Sequence, residues 1–403
     1  MLPSFKDQLT VALAASGCNF KARGPLGTGI RFFVNSDPAN VRHIFTSNHA
    51  NYPKGEDFAD ILRGTLFTVD GEPCRQQRAM NHSILNNPRL LGIRARLCRD
   101  KVVNGLLPFL ARMASSRTPF DMEELLTRLV FDLTATLTLG VDPGYLSISS
   151  TSSSMMHMPS MHVCTAIDTV MEVGLLRHAM PASVWKAMRQ LNVGPERKLA
   201  VAHKQLHGFV REMVIARRKL ASSLANNPRV VSAIRKELAP LISIRKDKEA
   251  ASACSSFSST SSSSSNNNNT MVIFEPEEIK GLVYLEAAIM ETLRLYPPGP
   301  LERKAVMGDD VLPSGHPLCS GETILVSIYA MARMEALWGF GGPCAVAQLA
   351  QPPGTPLAQM KTIVAAVVWN FDVELLQGQS IKPKLSCTLQ MNNKLMVTVN
   401  KTN

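Results

Sequence analysis

The 403-residue sequence predicts a mainly α fold with small β-sheets. Apolar side chains recur every three or four residues over several long stretches, and short strand-like runs lie between those stretches. With 45% apolar and 19% charged residues, the composition is that of an ordinary globular protein, long enough for one large core. The formal charge of +11, from 43 basic and 32 acidic side chains, favours an acidic partner surface, anionic lipid or nucleic acid over a cationic ligand.

The apolar patch Val11 to Ala15 directly follows Lys6 and Asp7 and reads as neither signal nor anchor. Gly29 to Val34 predicts a short strand, and Pro38 to Phe45 a helix opened by Asp37 at its cap position. Between Phe120 and Leu139, the residues Leu125, Leu129, Leu133 and Leu137 mark a buried helix. Ala166 to Arg177 and Glu196 to Lys219 share that periodicity, the second with a basic, solvated outer face. Pro276, Glu277 and Glu278 open a further helix whose stripe, Ile279, Leu282, Val283, Ala287, Met290 and Leu293, runs to Tyr296 ahead of Pro297. Thr323 to Ile328 is an apolar strand, and Lys384 through Asn392-Asn393 to Val399 alternates and turns like a hairpin. Residues 147–161, with the run Ser149 to Ser154, predict a surface loop. Residues 250–274 carry no charge and contain Ser261 to Ser265 and Asn266 to Asn269, the composition of a disordered linker.

Several chemistries are excluded. The eight cysteines form no C-x-x-C pair, which points to a reducing compartment and makes the glycosylation patterns at Asn81 and Asn268 inert. No apolar run approaches the roughly 20 residues of a membrane helix. His203 and His207 have a zinc-compatible spacing but no third ligand, so they read as a solvated pair. Gly27-Thr28-Gly29 precedes a strand where a dinucleotide fingerprint requires a helix. There is no Ser/His/Asp arrangement, no Walker loop, and no aromatic-interleaved basic patch, so no nucleic-acid partner is expected.

One constellation carries chemistry. Glu291 and Arg294 stand three apart near a helix end and share a face. Leu295-Tyr296-Pro297-Pro298 follows, then Arg303-Lys304, Val311-Leu312-Pro313-Ser314-Gly315-His316, and Tyr329-Ala330-Met331-Ala332-Arg333-Met334-Glu335. This order closely resembles the K-helix region of cytochrome P450 monooxygenases, and within them the plant group that hydroxylates fatty acids and alkanes. Asp37-Pro38-Ala39-Asn40-Val41, Asn51-Tyr52-Pro53-Lys54-Gly55 and Gly194-Pro195-Glu196-Arg197-Lys198 extend the likeness. The resemblance implies one P450-like domain over 1–403 with low-complexity loops at 147–161 and 250–274. It also implies a heme cofactor, a flavin-containing reductase as electron donor and a long-chain apolar substrate. The family sits at the endoplasmic reticulum membrane; without an anchor, this chain is expected to be cytoplasmic or peripheral.

The same resemblance assigns site residues. Asp70-Gly71-Glu72 to Arg78 is similar to the family's C-helix, where a Trp and an Arg hold a heme propionate; Arg78 is present, and Cys74 stands where the Trp belongs. Arg303 falls at a second propionate-binding position, and the Glu291–Arg294 pair braces the region that seats the heme. Oxygen activation on heme needs an axial thiolate, which the family takes from Phe-x-x-Gly-x-Arg-x-Cys-x-Gly. Here the stretch is Phe340-Gly341-Gly342-Pro343-Cys344-Ala345-Val346, so Cys344 is the candidate iron ligand but arrives too soon after Phe340. A small apolar core residue is its competing reading.

Trp338-Gly339 runs almost directly into that loop, and Ala358-Gln359-Met360-Lys361 resumes the family's next helix. The central helix of the form Ala-Gly-x-Asp-Thr-Thr is absent: Arg217-Arg218-Lys219-Leu220 leads straight to Leu224-Ala225-Asn226-Asn227-Pro228-Arg229. No catalytic residue is therefore intact. Two readings stand, a heme monooxygenase and a non-catalytic remnant or faulty gene model unable to bind heme productively.

Overall fold

The computed structural model describes residues 5–24, 29–55, 61–62, 64–146, 160–225, 271–274, 276–338, 354–380 and 382–402. Cys344 and its loop, Gly27-Thr28, Asn268 and the serine and asparagine runs lie outside the described residues.

The chain opens with α1 (Phe5–Ala15), β1 (Asn19–Arg23), β2 (Arg31–Asn35) and α2 (Pro38–Arg42), the last continued by a π-helical turn, His43–Ser47. Asp37 caps α2 as expected, its carboxylate accepting from the Ala39 and Asn40 amides. There follow α3 (Gly71–Leu85), α4 (Pro88–Lys101), α5 (Leu107–Ser116), β3 (Phe120–Asp121) and α6 (Met122–Leu139). Leu125, Leu129 and Leu133 are buried on α6, which stops where Gly140 turns left-handed at φ 72°. Next come α7 (His162–Ala179), α8 (Ala182–Gln190) and the long α9 (Gly194–Ala225). The C-terminal part holds α10 (Pro276–Lys280), α11 (Val283–Leu295), β4 (Leu301–Ala305), β5 (Asp310–Val311), β6 (Pro317–Leu318), β7 (Thr323–Ser327), α12 (Ile328–Met331), α13 (Glu335–Trp338), α14 (Gly354–Asn370), β8 (Phe371–Leu375) and β9 (Met396–Lys401).

The largest sheet has the order β1-β2-β7-β4, in which β2 and β7 run parallel and the other pairs antiparallel. Its apolar face packs Phe33, Ile324 and Val326 against Val41, Ile44 and Tyr52. A second core gathers α4, α5, α6 and α14 with the β3-β9-β8 sheet around Leu106, Leu110, Leu129, Phe120 and Phe371. Each such fully buried side chain contributes roughly 1.5–3 kcal/mol.

Polar contacts fix how these parts meet. Asn40, fully buried, donates through Nδ2 to Asn19, Asn35 and Ser314 and accepts from the Ser314 amide, tying α2 to β1, β2 and the turn after β5. Asp310 Oδ2 accepts from His43 Nε2 (2.8 Å), Asn48 Nδ2 (2.9 Å) and Tyr52 OH (2.5 Å). Partial burial alone would raise this carboxyl, but the hydrogen bonds outweigh it and hold Asp310 well below the usual carboxylate range. Arg177 on α7 and Glu196 on α9 form a bidentate ion pair of 2.7 and 2.6 Å, both side chains buried, with the Arg177 guanidinium 4.3 Å from the Trp185 ring of α8.

Three expectations are corrected. The helix anticipated over Pro276 to Tyr296 is two helices, interrupted at Gly281. The break shifts the phase of the stripe, so Ile279 and Ile289 are buried while Leu282 and Val283 are exposed. The C-terminal hairpin is not centred on Asn392-Asn393. Pro383 bridges Met391 to close a smaller strap, and β9 pairs with β8 and β3 instead. The last residues of the anticipated linker are ordered: Met271 and Ile273 pack on the second core, and Val272 exchanges two hydrogen bonds with Asn370. The apolar run Met271 to Phe274 has surface to bury, which the serine and asparagine runs lack.

Two outcomes follow from these contacts. Because the folded Asp310 carboxyl is depressed, its stabilisation is present above the ordinary carboxylate value of about 3.9 and is lost as pH falls below it. Asp310→Asn is expected to flatten that acid limb in denaturant titrations run at several pH values. Arg189 Nε also donates to Glu196 Oε2, at 3.3 Å, but Arg177→Ala removes the buried bidentate partner and is expected to cost about 3–5 kcal/mol, read from the urea midpoint.

Candidate functional site around strand β4

Arg294 donates from Nε to Glu291 Oε2 at 2.7 Å and from Nη2 to Glu291 Oε1, and its Nη1 donates to the carbonyl oxygen of Ala332, just beyond α12. The pair anticipated on one helix face is therefore formed. Its larger role is Arg294's link from α11 to the segment that leaves β7. Glu291 is the exposed member, at 57% against 18%, and the Arg294 hydrogen bonds hold its carboxyl lower than usual. Beyond the helix end, the Arg333 guanidinium lies 3.6 Å from the Tyr329 ring and 5.4 Å from the Tyr296 ring, and Tyr329 OH donates to Asp7 of α1 at 2.8 Å.

The turn Pro297–Pro300 carries the chain into β4, where Glu302, Arg303 and Lys304 stand in succession. Strand alternation directs Glu302 and Lys304 to one face and Arg303 to the other. On the Arg303 face, Nη2 donates to Thr323 Oγ1 at 3.3 Å. Nη1 lies 3.2 Å from where a Cβ at Gly55 would stand, and φ is +83° there. Any side chain at position 55 would be strained and would push this guanidinium away. His178, at the end of α7, sits near Arg303, and burial followed by that charge pushes its imidazole down to about 3, so it is neutral.

On the other face, burial raises Glu302 although Lys304, Lys54 and Arg78 all oppose the shift, and burial lowers Lys304. Glu302 nevertheless keeps an exposed surface. The strap closed by Pro383 and Met391 meets this region. Its Leu389 amide donates to the Pro298 carbonyl (3.0 Å), its Cys387 amide to Met171 of α7 (3.4 Å), and its Gln390 Nε2 to Asp168 (2.6 Å). Cys387 has its thiol pushed up to about 12, by burial first and then by Glu302. Lys6 of α1 reaches the same strap, donating to the Lys384 carbonyl at 2.8 Å.

Arg78, exposed on α3, and Arg303 are thus both brought to β4, from different sides. Lys54, His178, Glu302, Lys304 and Cys387 join them, and none was marked as a site residue by its sequence pattern. Only Lys54 and Lys304 lay inside quoted motifs, Asn51 to Gly55 and Arg303-Lys304. His203 is not part of a solvated pair: its Nε2 lies 3.0 Å from the Ile61 carbonyl, with His207 stacked beside it. Among the described residues no group of three or more His, Cys, Asp or Glu side chains could hold a metal ion.

A family model described as cytochrome P450 matches residues 220–339. Noroxomaritidine synthase 2 of Narcissus aff. pseudonarcissus MK-2014 is 29% identical over 474 aligned positions, covering 98% of this chain and 88% of that protein. Alkane hydroxylase MAH1 of Arabidopsis thaliana is 27% identical over 461 positions, covering 99% of this chain and 90% of its own. The heme domain of a solved cytochrome P450DA mutant superposes with a TM-score of 0.65 at 12% identity, covering 98% and 93% of the two chains. The chain belongs to the cytochrome P450 family. Heme is the cofactor of that family, and its members take electrons from a redox partner. The cations about β4, Arg303 on one face and Arg78 with Lys304 on the other, have the charge that the carboxylates of a heme would need.

The Glu291–Arg294 geometry generates a contrast. Glu291→Ala is expected to change stability by less than about 1 kcal/mol, as for an exposed ion pair. Arg294→Ala is expected to cost about 1–3 kcal/mol, because the Ala332 carbonyl loses its partner. Paired urea melts compare the two.

Proposed function

We propose that this P450 scaffold is built to hydroxylate a long-chain fatty acid or alkane, with electrons supplied by a flavin-containing reductase. The observation that carries the reading is the gathering of cations about β4, with Arg78 and Lys304 beside Glu302 and Arg303 on the other face, next to the Pro297–Pro300 turn on which the Pro383–Met391 strap docks through Leu389. Those three cations would hold heme carboxylates, and Cys344, outside the described residues, is the one candidate for the iron. Bound heme with an axial thiolate supplies oxygen activation. The chain's own residues position and exclude. Gly55 lets the Arg303 guanidinium approach, Arg294 ties α11 to the segment that leaves β7, and the strap joins the end of α7 to the Pro298 turn. The alkane hydroxylase relative supports the substrate class, and the net charge of +11 suits an acidic reductase face. We place the protein with its family at the endoplasmic reticulum membrane, or peripheral to it, as one P450-like domain over 1–403. Among the described residues, no helix is long and apolar enough to cross a membrane.

A second reading, a non-catalytic remnant or a faulty gene model, is favoured by a specific observation. The aligned span with noroxomaritidine synthase 2, 474 positions, exceeds the whole 403-residue chain, so the relatives carry residues inside the matched region that this chain lacks. The family-model match also begins at 220 and ends at 339, where the sequence omits the central helix and enters the altered cysteine loop.

Reconstitution with heme, followed by reduction and exposure to carbon monoxide, separates the two. A thiolate-type absorption band that disappears in Cys344→Ala is the expected result for the monooxygenase. A chain that retains no heme is the result that overturns it.

A further inference from the structure

The Lys54–Cys74 contact takes no part in the reading above. Lys54 Nζ donates to the Leu66 carbonyl (2.8 Å), the Val69 carbonyl (2.6 Å) and Cys74 Sγ (3.4 Å), and the Lys54 amide donates to Asp70 Oδ2 (2.9 Å). Both ends of the lysine are therefore anchored, and its side chain is 18% exposed. Cys74, in the first turn of α3, is a free thiol of a residue that is neither buried nor fully exposed, and the lysine amine already touches its sulfur. Reacting atoms held near 3–3.5 Å turn a bimolecular step into an intramolecular one.

We propose that Lys54 and Cys74 form a reversible covalent cross-link when the protein meets hydrogen peroxide. In the first step the Cys74 thiol attacks peroxide: an S–O bond forms, the O–O bond breaks, sulfur is oxidised by two electrons, and one water leaves. In the second, Lys54 gives one ammonium proton to solvent and its nitrogen attacks the sulfenic sulfur. An S–N bond forms, the S–O bond breaks, and the departing hydroxide takes a second nitrogen proton to leave as water. The product is a sulfenamide, Cys74 Sγ–Nζ Lys54. Two equivalents of a reducing thiol return the free cysteine and lysine and become a disulfide. The link joins the turn that supports Arg303 to the helix that carries Arg78.

The intact wild-type chain is treated with peroxide in slight excess, digested with trypsin and examined by mass spectrometry, with and without dithiothreitol. The expected product is one peptide pair joined through Lys54 and Cys74, two hydrogens lighter than the sum of its parts, uncleaved after Lys54, and absent after dithiothreitol. Lys54→Arg and Cys74→Ser chains are expected to lose it completely. Cys74 recovered unmodified, as sulfinic or sulfonic acid, or joined to another residue, with Lys54 cleaved normally, overturns the proposal. The wild-type digest alone decides, so a variant that folds poorly does not blunt the test.

Discussion

The parallel pairing of β2 with β7 is the constraint on which the rest of the architecture depends. It sets Phe32 to Asn35 beside Thr323 to Val326, joining the first tenth of the chain to its last quarter. Closing so long a loop costs conformational entropy, though that cost grows only slowly with length. Phe33, Val34, Ile324 and Val326, at 0–3% exposure, offset it by burial across the sheet. Once β7 is placed, β4 must lie on its other side. The end of β4 and the residues after it then zip onto the segment that follows α2, through the Ala305 amide to the Pro53 carbonyl and the Met307 amide to the Asn51 carbonyl. These bonds bring Lys54 and Gly55 to β4.

Legibility in the sequence follows the range of the interaction. Helix α6 could be read because its spacing, its Asp121 cap and its Gly140 stop are all local. Strand β1 was not: Asn19–Arg23 sets just Phe20 and Ala22 between polar neighbours, too short a pattern to stand out, and its five-residue pairing with β2 defines it. The same division holds at the site. Arg78, Arg303, Glu291 and Arg294 were legible because a family order of motifs marks them. His178 falls one residue past the helix expected over Ala166 to Arg177, and nothing local shows that the end of α7 rests near Arg303. Cys387 likewise meets Glu302 only because the strap folds back to the Pro298 turn.

The density of ionisable groups around β4 is hard to explain as core. A charge buried without a partner costs several kcal/mol, and well-packed apolar residues are often as stable as a buried ion pair. A sequence selected only for packing would not gather Lys54, Arg78, Glu302, Arg303 and Lys304 about five residues of strand. The raised Glu302 carboxyl and lowered Lys304 amine record desolvation that their mutual attraction does not cancel. Such tension is the ordinary condition of a surface shaped to receive charge, and a dianionic edge placed among these cations would relieve more of it than Glu302 does alone.

Helix α11 holds the opposite imbalance. Val283 is 78% exposed and Tyr284 88%, on the helix whose other end is secured by Arg294. Leu282 ahead of them is also exposed, so three successive apolar side chains face water where a helix entering a core would bury at least one. Isolated exposed apolar residues are common, but a contiguous group marks a surface that packed against something. The relative noroxomaritidine synthase 2 carries residues inside the aligned span that this chain lacks. A surface that such residues cover in a longer relative would stand open here, as Leu282–Tyr284 do.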